Sequence, residues 1–236
     1  VTNKLLAKKA CKICVAYDGM ERFFEKDKII LTGNPVRQGL RNHHISREEA
    51  IRSFGLDPSK KTILIVGGSL GARTINNCVM EGLDKIKASG AQFIWQTGKI
   101  YIGEARAAVA QAGELPMLHV TDFISDMAAA YSAADLIISR AGAGSISEFC
   151  LLQKPVILVP SPNVAEDHQT HNAMALVRKD AGMIVKDSEA EEKLMKTACG
   201  LIENPERIAL MEKNIAALAK TEAAQEIVDE AYKIIG

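Results

Sequence analysis

Short runs of apolar, often β-branched residues alternate along the chain with longer segments in which apolar residues recur every three or four positions. The short runs predict β-strands, and the longer segments predict amphipathic helices. Because the short runs are continuously apolar, we expect strands that are buried on both faces of a parallel sheet. The predicted strands are residues 11–17, 28–32, 62–67, 91–96, 117–121, 135–139, 155–159 and 182–185.

Amphipathic helices are predicted in the segments between these strands. The spacing of apolar residues predicts one helix over residues 73–89 and another over residues 205–219. From residue 188 onward the pattern is helical only, and a last helix around residues 222–235 follows a break near Lys220. Alternating strands and helices predict an α/β fold built from βαβ units, with helices on both faces of a parallel sheet.

Composition and charge narrow the class of protein. The 236 residues are 47% hydrophobic and 25% charged, which is typical of a globular chain with one large or two modest domains. Lys and Arg number 29 and balance 29 Asp and Glu, so we expect no nucleic-acid partner. Five cysteines favour a reducing compartment. Cys11 and Cys14 lie three apart on a predicted strand, on opposite faces, so we expect a buried, inert pair and no shared metal.

A glycine-rich segment, Gly67-Gly-Ser-Leu-Gly-Ala-Arg73, directly follows one predicted strand and precedes a helix. Gly67, Gly68 and Gly71 let the backbone approach a ligand closely, and the helix N-terminus attracts phosphate. Ser69 adds a hydroxyl donor. The alternative is a tight turn that binds nothing. The segment matches neither the P-loop nor the dinucleotide fingerprint, which disfavours a nicotinamide dehydrogenase.

A second glycine-rich segment, Ser139-Arg-Ala-Gly-Ala-Gly-Ser-Ile-Ser-Glu148, follows another predicted strand. Ser145 and Glu148 match a capping box, which would give Glu148 a purely structural role. Alternatively, the Glu148 carboxylate accepts hydrogen bonds from the two hydroxyls of a ribose, as acidic residues do in dinucleotide folds. Because two phosphate-type loops occur in one sheet, we favour the ribose interpretation.

A third strand end leads into Asp167-His-Gln-Thr-His-Asn172, where Asp167 is a plausible helix N-cap. Gln169 and Asn172 share a helix face, and amides pair well with sugar hydroxyls. His168 and His171 also share a face, but without carboxylate or thiolate partners we expect surface histidines and no metal site. His119, His43 and His44 are likewise expected to be structural.

Two further positions are candidates for nucleotide contacts. Arg37 follows a break at Asn34-Pro35 and either contacts a diphosphate or is an ordinary surface arginine. Phe123 and Ile124 follow a predicted strand, where backbone groups could read a base; for Phe123 we favour core packing.

In combination and in order, segments 33–37, 67–73, 122–131, 139–148 and 167–172 resemble the MurG family of bacterial peptidoglycan glycosyltransferases. The resemblance implies a two-domain GT-B architecture, of which this chain is the C-terminal half with a Rossmann-like sheet. It implies transfer of N-acetylglucosamine from UDP-N-acetylglucosamine to lipid I, giving lipid II, with no cofactor. Residues 1–33 would be a remnant of the N-terminal acceptor domain, residues 34–221 the donor-nucleotide domain, and residues 222–236 a helix crossing back, with Ile227, Val228, Ile234 and Ile235 exposed.

The resemblance also assigns site residues. Arg37 and Ser69 would face the nucleotide and diphosphate, and Ile124 would meet uracil through its backbone. Gln169 and Asn172 would hold the sugar. The diphosphate and ribose would be surrounded by Ala143, Gly144, Ser145, Ile146, Ser147 and Glu148.

The family's histidine- and glycine-rich acceptor loop is absent from this sequence, so the general base and the membrane-docking patch are expected in a missing N-terminal part. The whole protein is expected to be cytoplasmic and peripheral on the inner face of the membrane. Alternatives are a UDP-N-acetylglucosamine 2-epimerase of the same architecture and a non-catalytic nucleotide-binding module.

Overall fold

The computed structural model describes residues 2–41, 45–164 and 167–236. Each predicted strand is present there, somewhat shorter than predicted, which confirms the strand predictions. The strands are β1 (Ile13–Val15), β2 (Ile29–Leu31), β3 (Thr62–Val66), β4 (Gln92–Gln96), β5 (Leu118–Thr121), β6 (Leu136–Ser139), β7 (Val156–Leu158) and β8 (Met183–Ile184).

Helices connect the strands and follow the last one. They are α1 (Thr2–Ala7), α2 (Gln38–Arg41), α3 (Arg47–Ser53), α4 (Arg73–Glu81), α5 (Leu83–Ala88), α6 (Ile102–Ala112), α7 (Met127–Ala133), α8 (Ala143–Leu151), α9 (His168–Val177), α10 (Ala190–Ile202), α11 (Pro205–Ala216) and α12 (Ala223–Ile235). None of these described helices has the length and apolar content needed to span a bilayer.

Within the described residues, β3 to β8 form one six-stranded sheet in the order β5-β4-β3-β6-β7-β8, while β1 and β2 pair separately. The strand pairs in both sheets are parallel. The chain therefore starts the large sheet at its centre with β3, winds outward to β5, and returns to place β6 on the other side of β3. This confirms the α/β, Rossmann-like prediction.

The large sheet is buried on both faces, as its continuously apolar strands predicted. On β3, Ile63 and Ile65 belong to a core cluster with residues of α4, α5, α6 and α10. Leu64 and Val66 point the other way, into a cluster with residues of α3, α7, α8 and α9. The four side chains are at most 6% exposed, so both faces of β3 are covered and a ligand at this strand would have to bind beyond one of its ends.

The predicted helix over residues 73–89 is in fact two helices, α4 and α5, separated at Gly82. A Cβ at Gly82 would lie 2.6 Å from Cγ of Met195 on α10. The close approach of α10 therefore requires glycine here, and glycine weakens the helix at this point.

The expected burial of Cys11 and Cys14 is wrong, because both side chains are exposed. The strand covers only Ile13–Val15, so Cys11 lies outside it. Of these strand residues, Val15 alone is buried. The separate two-stranded sheet thus leaves both thiols at the surface.

The last helix, α12, carries the expected apolar face. Val228, Ile234 and Ile235 are exposed, as is Tyr232, whereas Ile227 is only half-buried. The prediction is thus confirmed for three of the four residues, and α12 presents an apolar surface to solvent.

Candidate functional site

The two glycine-rich segments start from adjacent positions at the centre of the sheet. Val66, the last residue of β3, is paired with Ser139, the last residue of β6. The strand order reverses between these two strands, and ligands in open parallel sheets bind at such a reversal, beyond the carboxyl ends. The loops 67–72 and 140–142 therefore flank the expected binding crevice.

The β3–α4 loop is packed so closely that two of its three glycines leave no room for a Cβ. Gly71 has φ +78°, and a Cβ there would lie 2.1 Å from the carbonyl oxygen of Thr97. A Cβ on Gly67 would lie 2.4 Å from the backbone nitrogen of Ala72. Gly68 also has positive φ, +83°, but open space around it, and Ser69 is exposed. The loop is thus anchored at Gly67 and Gly71 and presents Gly68 and Ser69 to the crevice.

We expect Gly71→Ala to lower the free energy of unfolding by at least about 2 kcal/mol, since an alanine with positive φ costs roughly 1–2 kcal/mol even before the contact with Thr97. Gly68→Ala is the matched control, because it has the same backbone strain without the contact. Urea denaturation of both variants measures the difference. Equal losses would contradict the assigned role of the contact.

Helix α8 begins at the second glycine-rich segment, earlier than a capping box would allow. Its N-cap is Gly142, and Ser145 is already inside the helix, so the capping-box alternative is wrong. The first backbone bond of the helix runs from Ile146 N to Gly142 O. The N–H groups of Ala143, Gly144 and Ser145 precede it and form the positive end of the helix dipole. Ile146 differs from expectation, because its side chain is fully buried in the core and its N–H is already bonded.

The Glu148 side chain is held by two side chains, Arg37 and Tyr131. The sequence pattern predicted a nucleotide contact for Arg37 and no role for Tyr131. The Tyr131 hydroxyl donates to Glu148 Oε2 at 2.7 Å, and Arg37 Nη2 lies 3.5 Å from Oε1. Burial, together with the neighbouring Glu148, raises the pKa of Tyr131, which therefore stays protonated and donates. The ring of Tyr131 in turn packs edge-on against Phe149. Arg37 is thus brought to the Glu148 carboxylate while most of its side chain remains exposed.

The N-terminal segment also contacts the start of α8. The Tyr17 hydroxyl donates to the carbonyl of Ala143 at 3.1 Å, and Asn34 Nδ2 donates to Ser147 Oγ at 3.2 Å. Burial raises the pKa of Tyr17, so its hydroxyl also stays protonated. Ser147 is thereby engaged within the protein.

Gln169 and Asn172 do lie beside the β6–α8 loop, but each amide is half used by the protein. Gln169 Oε1 accepts from Ala141 N at 3.2 Å and from Ser161 N at 2.9 Å. Asn172 Nδ2 donates to Ala141 O at 3.1 Å. The idea that each amide offers both donor and acceptor to a sugar therefore needs correction: Gln169 retains its NH₂ group and Asn172 its oxygen.

The loop after β5 borders a cleft of about 350 Å³. Ile124 is buried there, whereas Phe123 is 53% exposed, so the expected core packing of Phe123 is wrong. The His119 ring nitrogen Nδ1 lies 3.0 Å from Phe54 O, and the two rings pack edge-on, which confirms a structural histidine. The cleft is a candidate base pocket with an exposed aromatic ring at its border.

The remaining histidines and Asp167 follow the sequence prediction in part. His168 and His171 are exposed on α9. Asp167 is the N-cap, but it accepts a hydrogen bond from the Thr170 hydroxyl at 2.7 Å, with no side-chain bond to the helix backbone. His43 and His44 lie outside the described residues. In the ranges that are described, no three His, Cys, Asp or Glu side chains cluster as metal ligands.

Sequence reasoning missed the residues that support Glu148 and the α8 start. Tyr131 and Tyr17 are hydroxyl-bearing residues far from the glycine motifs, and only their position in the fold reveals the contact. Arg140, in contrast, directly follows β6 and belongs to the second glycine-rich segment. Its position in that motif could have identified it as a candidate site residue from the sequence alone.

Comparisons with known proteins agree with this architecture. Residues 62–229 match the family described as the glycosyltransferase family 28 C-terminal domain. The chain is 83% identical, over 99% of its length, to the UDP-N-acetylglucosamine--N-acetylmuramyl-(pentapeptide) pyrophosphoryl-undecaprenol N-acetylglucosamine transferase of Phocaeicola vulgatus. It spans only 62% of the length of that relative.

Solved structures give the same result for the fold. The crystal structure of Acinetobacter baumannii MurG is similar with a TM-score of 0.76 at 27% identity, over 99% of this chain and 63% of that one. A putative UDP-N-acetylglucosamine 2-epimerase from Listeria monocytogenes has a TM-score of 0.71 at 15% identity, over 95% and 60%. At that identity the second likeness extends to the fold alone.

Proposed function

The chain belongs to the family of glycosyltransferase family 28 C-terminal domains, and from this we propose that it is the donor-binding part of an N-acetylglucosaminyltransferase. The whole enzyme would transfer N-acetylglucosamine from UDP-N-acetylglucosamine to a muramyl-pentapeptide linked through pyrophosphate to undecaprenol, lipid I, and so form lipid II. The name of the Phocaeicola vulgatus relative supports both substrates. The single observation that carries the donor assignment is the oriented Glu148 carboxylate in the second turn of α8, the helix that follows β6 where β6 pairs with the end of β3.

Each part of UDP-N-acetylglucosamine has a chemically suitable partner in the proposed site. Glu148 offers carboxylate oxygens to the ribose hydroxyls, with Tyr131 and Arg37 fixing their direction. The diphosphate suits the N-terminus of α8, the loop with Gly67, Gly68, Ser69 and Gly71, and the Arg37 guanidinium. The base would enter the cleft at Ile124.

The sugar would lie against α9. Gln169 presents its NH₂ group as a donor, and Asn172 presents its oxygen as an acceptor. A hydroxyl can accept from the first and donate to the second at once.

The proposed reaction is an inverting transfer. A hydroxyl oxygen of the acceptor sugar forms a bond to the anomeric carbon, while the bond between that carbon and the β-phosphate oxygen breaks. The hydroxyl proton passes to a base, which we expect outside this chain, and negative charge develops on the departing UDP. Helix N-termini and Arg37 stabilise that charge through groups that are already oriented before the reaction.

The division of the chain and its location are part of the proposal. Residues 34–221 would form the donor domain, residues 1–33 would end an acceptor domain, and residues 222–236 would return to it. The separate β1–β2 sheet and the exposed apolar face of α12 support this division. The five free thiols suit the cytoplasm, and the undecaprenol in the relative's name suits contact with the inner face of the membrane.

A thermal-shift comparison tests the donor site directly. At UDP-N-acetylglucosamine or UDP concentrations 100-fold above the Kd, the native chain should gain about 2.7 kcal/mol of stability. NAD and ATP should have no effect at the same concentrations. Stabilisation by ATP equal to that by UDP, or no response to either uridine nucleotide, would contradict the proposal.

A further inference from the structure

A partly buried ion pair connects the second glycine-rich segment to the helix that follows the first. Arg140 is the first residue after β6, and its Nη1 donates to the carbonyls of Val159 and Pro160 at 3.1 and 3.3 Å. The same nitrogen forms an ion pair with Asp187 Oδ1. These contacts join the ends of β6 and β7 to the segment that follows β8.

The second oxygen of the Asp187 carboxylate reaches the other loop. Oδ2 accepts a hydrogen bond at 3.0 Å from the hydroxyl of Thr74, the second residue of α4. Helix α4 directly follows the loop with Gly67 to Gly71. A negative charge therefore lies against the first turn of the helix whose N-terminus belongs to the proposed diphosphate site.

Such a carboxylate would repel the diphosphate unless it were neutralised. The side chains of Arg140 and Asp187 are only 17% and 21% exposed, so solvent screens their charges less than at an open surface. Two unit charges a few ångströms apart interact several times more strongly at such a site than in bulk water. The arginine and the carboxylate therefore largely cancel each other where the nucleotide's charge would arrive.

We propose that Arg140 is a positioning residue whose charge neutralises Asp187, so that the α4 N-terminus and the β3–α4 loop remain available to the diphosphate of the nucleotide. This inference rests on the proposed donor site. It assigns no contact between Arg140 and the ligand; Arg140 acts through Asp187 and the strand-end carbonyls that it holds.

The experiment compares UDP with uridine, which lacks the phosphates, in native chain, Arg140→Gln, Asp187→Asn and the double variant. Arg140→Gln leaves the negative charge of Asp187 without its counter-ion and should weaken UDP binding about tenfold. Asp187→Asn keeps an oxygen for the Thr74 hydroxyl but leaves the positive charge of Arg140 uncompensated, and should tighten UDP binding about threefold. The UDP affinity of the double variant should return to within about threefold of native, and uridine affinity should stay constant in all variants.

Isothermal titration calorimetry measures the affinity for UDP, and ligand-observed NMR measures the affinity for uridine. Because salt screens charge interactions, the changes in UDP affinity should be smaller at 1 M salt.

A merely structural ion pair gives a different pattern. It would make Asp187→Asn weaken UDP and uridine in parallel, together with a lower Tm, and that result would overturn the inference. The same holds if UDP affinity is unchanged in both single variants. If Arg140→Gln does not fold, the direction of the change in Asp187→Asn decides alone. A native chain that binds no UDP would instead overturn the proposed function, so the two failures are distinguishable.

Discussion

Replacing Glu148 with glutamine should weaken UDP binding about tenfold to a hundredfold while the fold is retained. A hydrogen bond to a charged group contributes about 1.5–3 kcal/mol, and about 1.4 kcal/mol corresponds to a factor of ten in affinity. Glutamine keeps the shape of the side chain and one oxygen for the Tyr131 hydroxyl. It removes the second acceptor and the negative charge, which the ribose hydroxyls would use. Isothermal titration calorimetry with UDP measures the loss.

A nucleotide that lacks one ribose hydroxyl makes this test specific. The native chain should prefer UDP over 2′-deoxy-UDP, and Glu148→Gln should bind the two with nearly equal affinity. Glu114→Gln is the matched control, because Glu114 is exposed and precedes β5, at the opposite end of the sheet. If Glu148→Gln binds UDP within twofold of native and still discriminates against 2′-deoxy-UDP, Glu148 does not hold the ribose.

The strands and their burial were predictable because the apolar pattern alone specifies them. The run 63–66 is continuously apolar and mostly β-branched, and it forms most of the central, buried β3. Cys11 and Cys14 show where this reasoning fails. The same kind of run around Ile13 forms only a short strand in a two-stranded sheet, and the lack of a covering layer is a tertiary property that no local pattern encodes.

The candidate site was predictable where a backbone requirement shows in the sequence. Gly71 and Gly67 are glycines because no Cβ fits, so their motif points to the loop. Side-chain partners are different, because Tyr131 and Glu148 are 17 residues apart and meet only through a tertiary contact between side chains of α7 and α8. The capping-box match of Ser145 and Glu148 misled for the same reason: the helix starts at Ala143, which the local motif does not specify.

Trp95→Ala should cost about 3–5 kcal/mol of unfolding free energy, the range measured for removal of large buried aromatic side chains. Trp95 is fully buried on β4, beside the centre of the sheet. Its indole Nε1 donates to Asn76 Oδ1 at 3.0 Å, and Asn76 Nδ2 donates to Thr97 O at 2.8 Å. Trp95 is the sole tryptophan of the chain, so urea denaturation has to be followed by far-ultraviolet circular dichroism.

The variant Trp95→Phe separates the two contributions of this side chain. Phenylalanine retains much of the apolar contact but leaves the oxygen of Asn76 without its donor, which costs about 1–3 kcal/mol for a buried group. Thr97 O, which accepts from Asn76, is also the atom packed against Gly71. If Asn76 shifts in Trp95→Phe, the β3–α4 loop should shift with it, and UDP affinity should fall as well as stability. A loss below about 2 kcal/mol in Trp95→Ala would contradict the expected contribution of this side chain to stability. UDP affinity unchanged in Trp95→Phe despite lower stability would show that the core of the sheet and its binding edge are energetically independent.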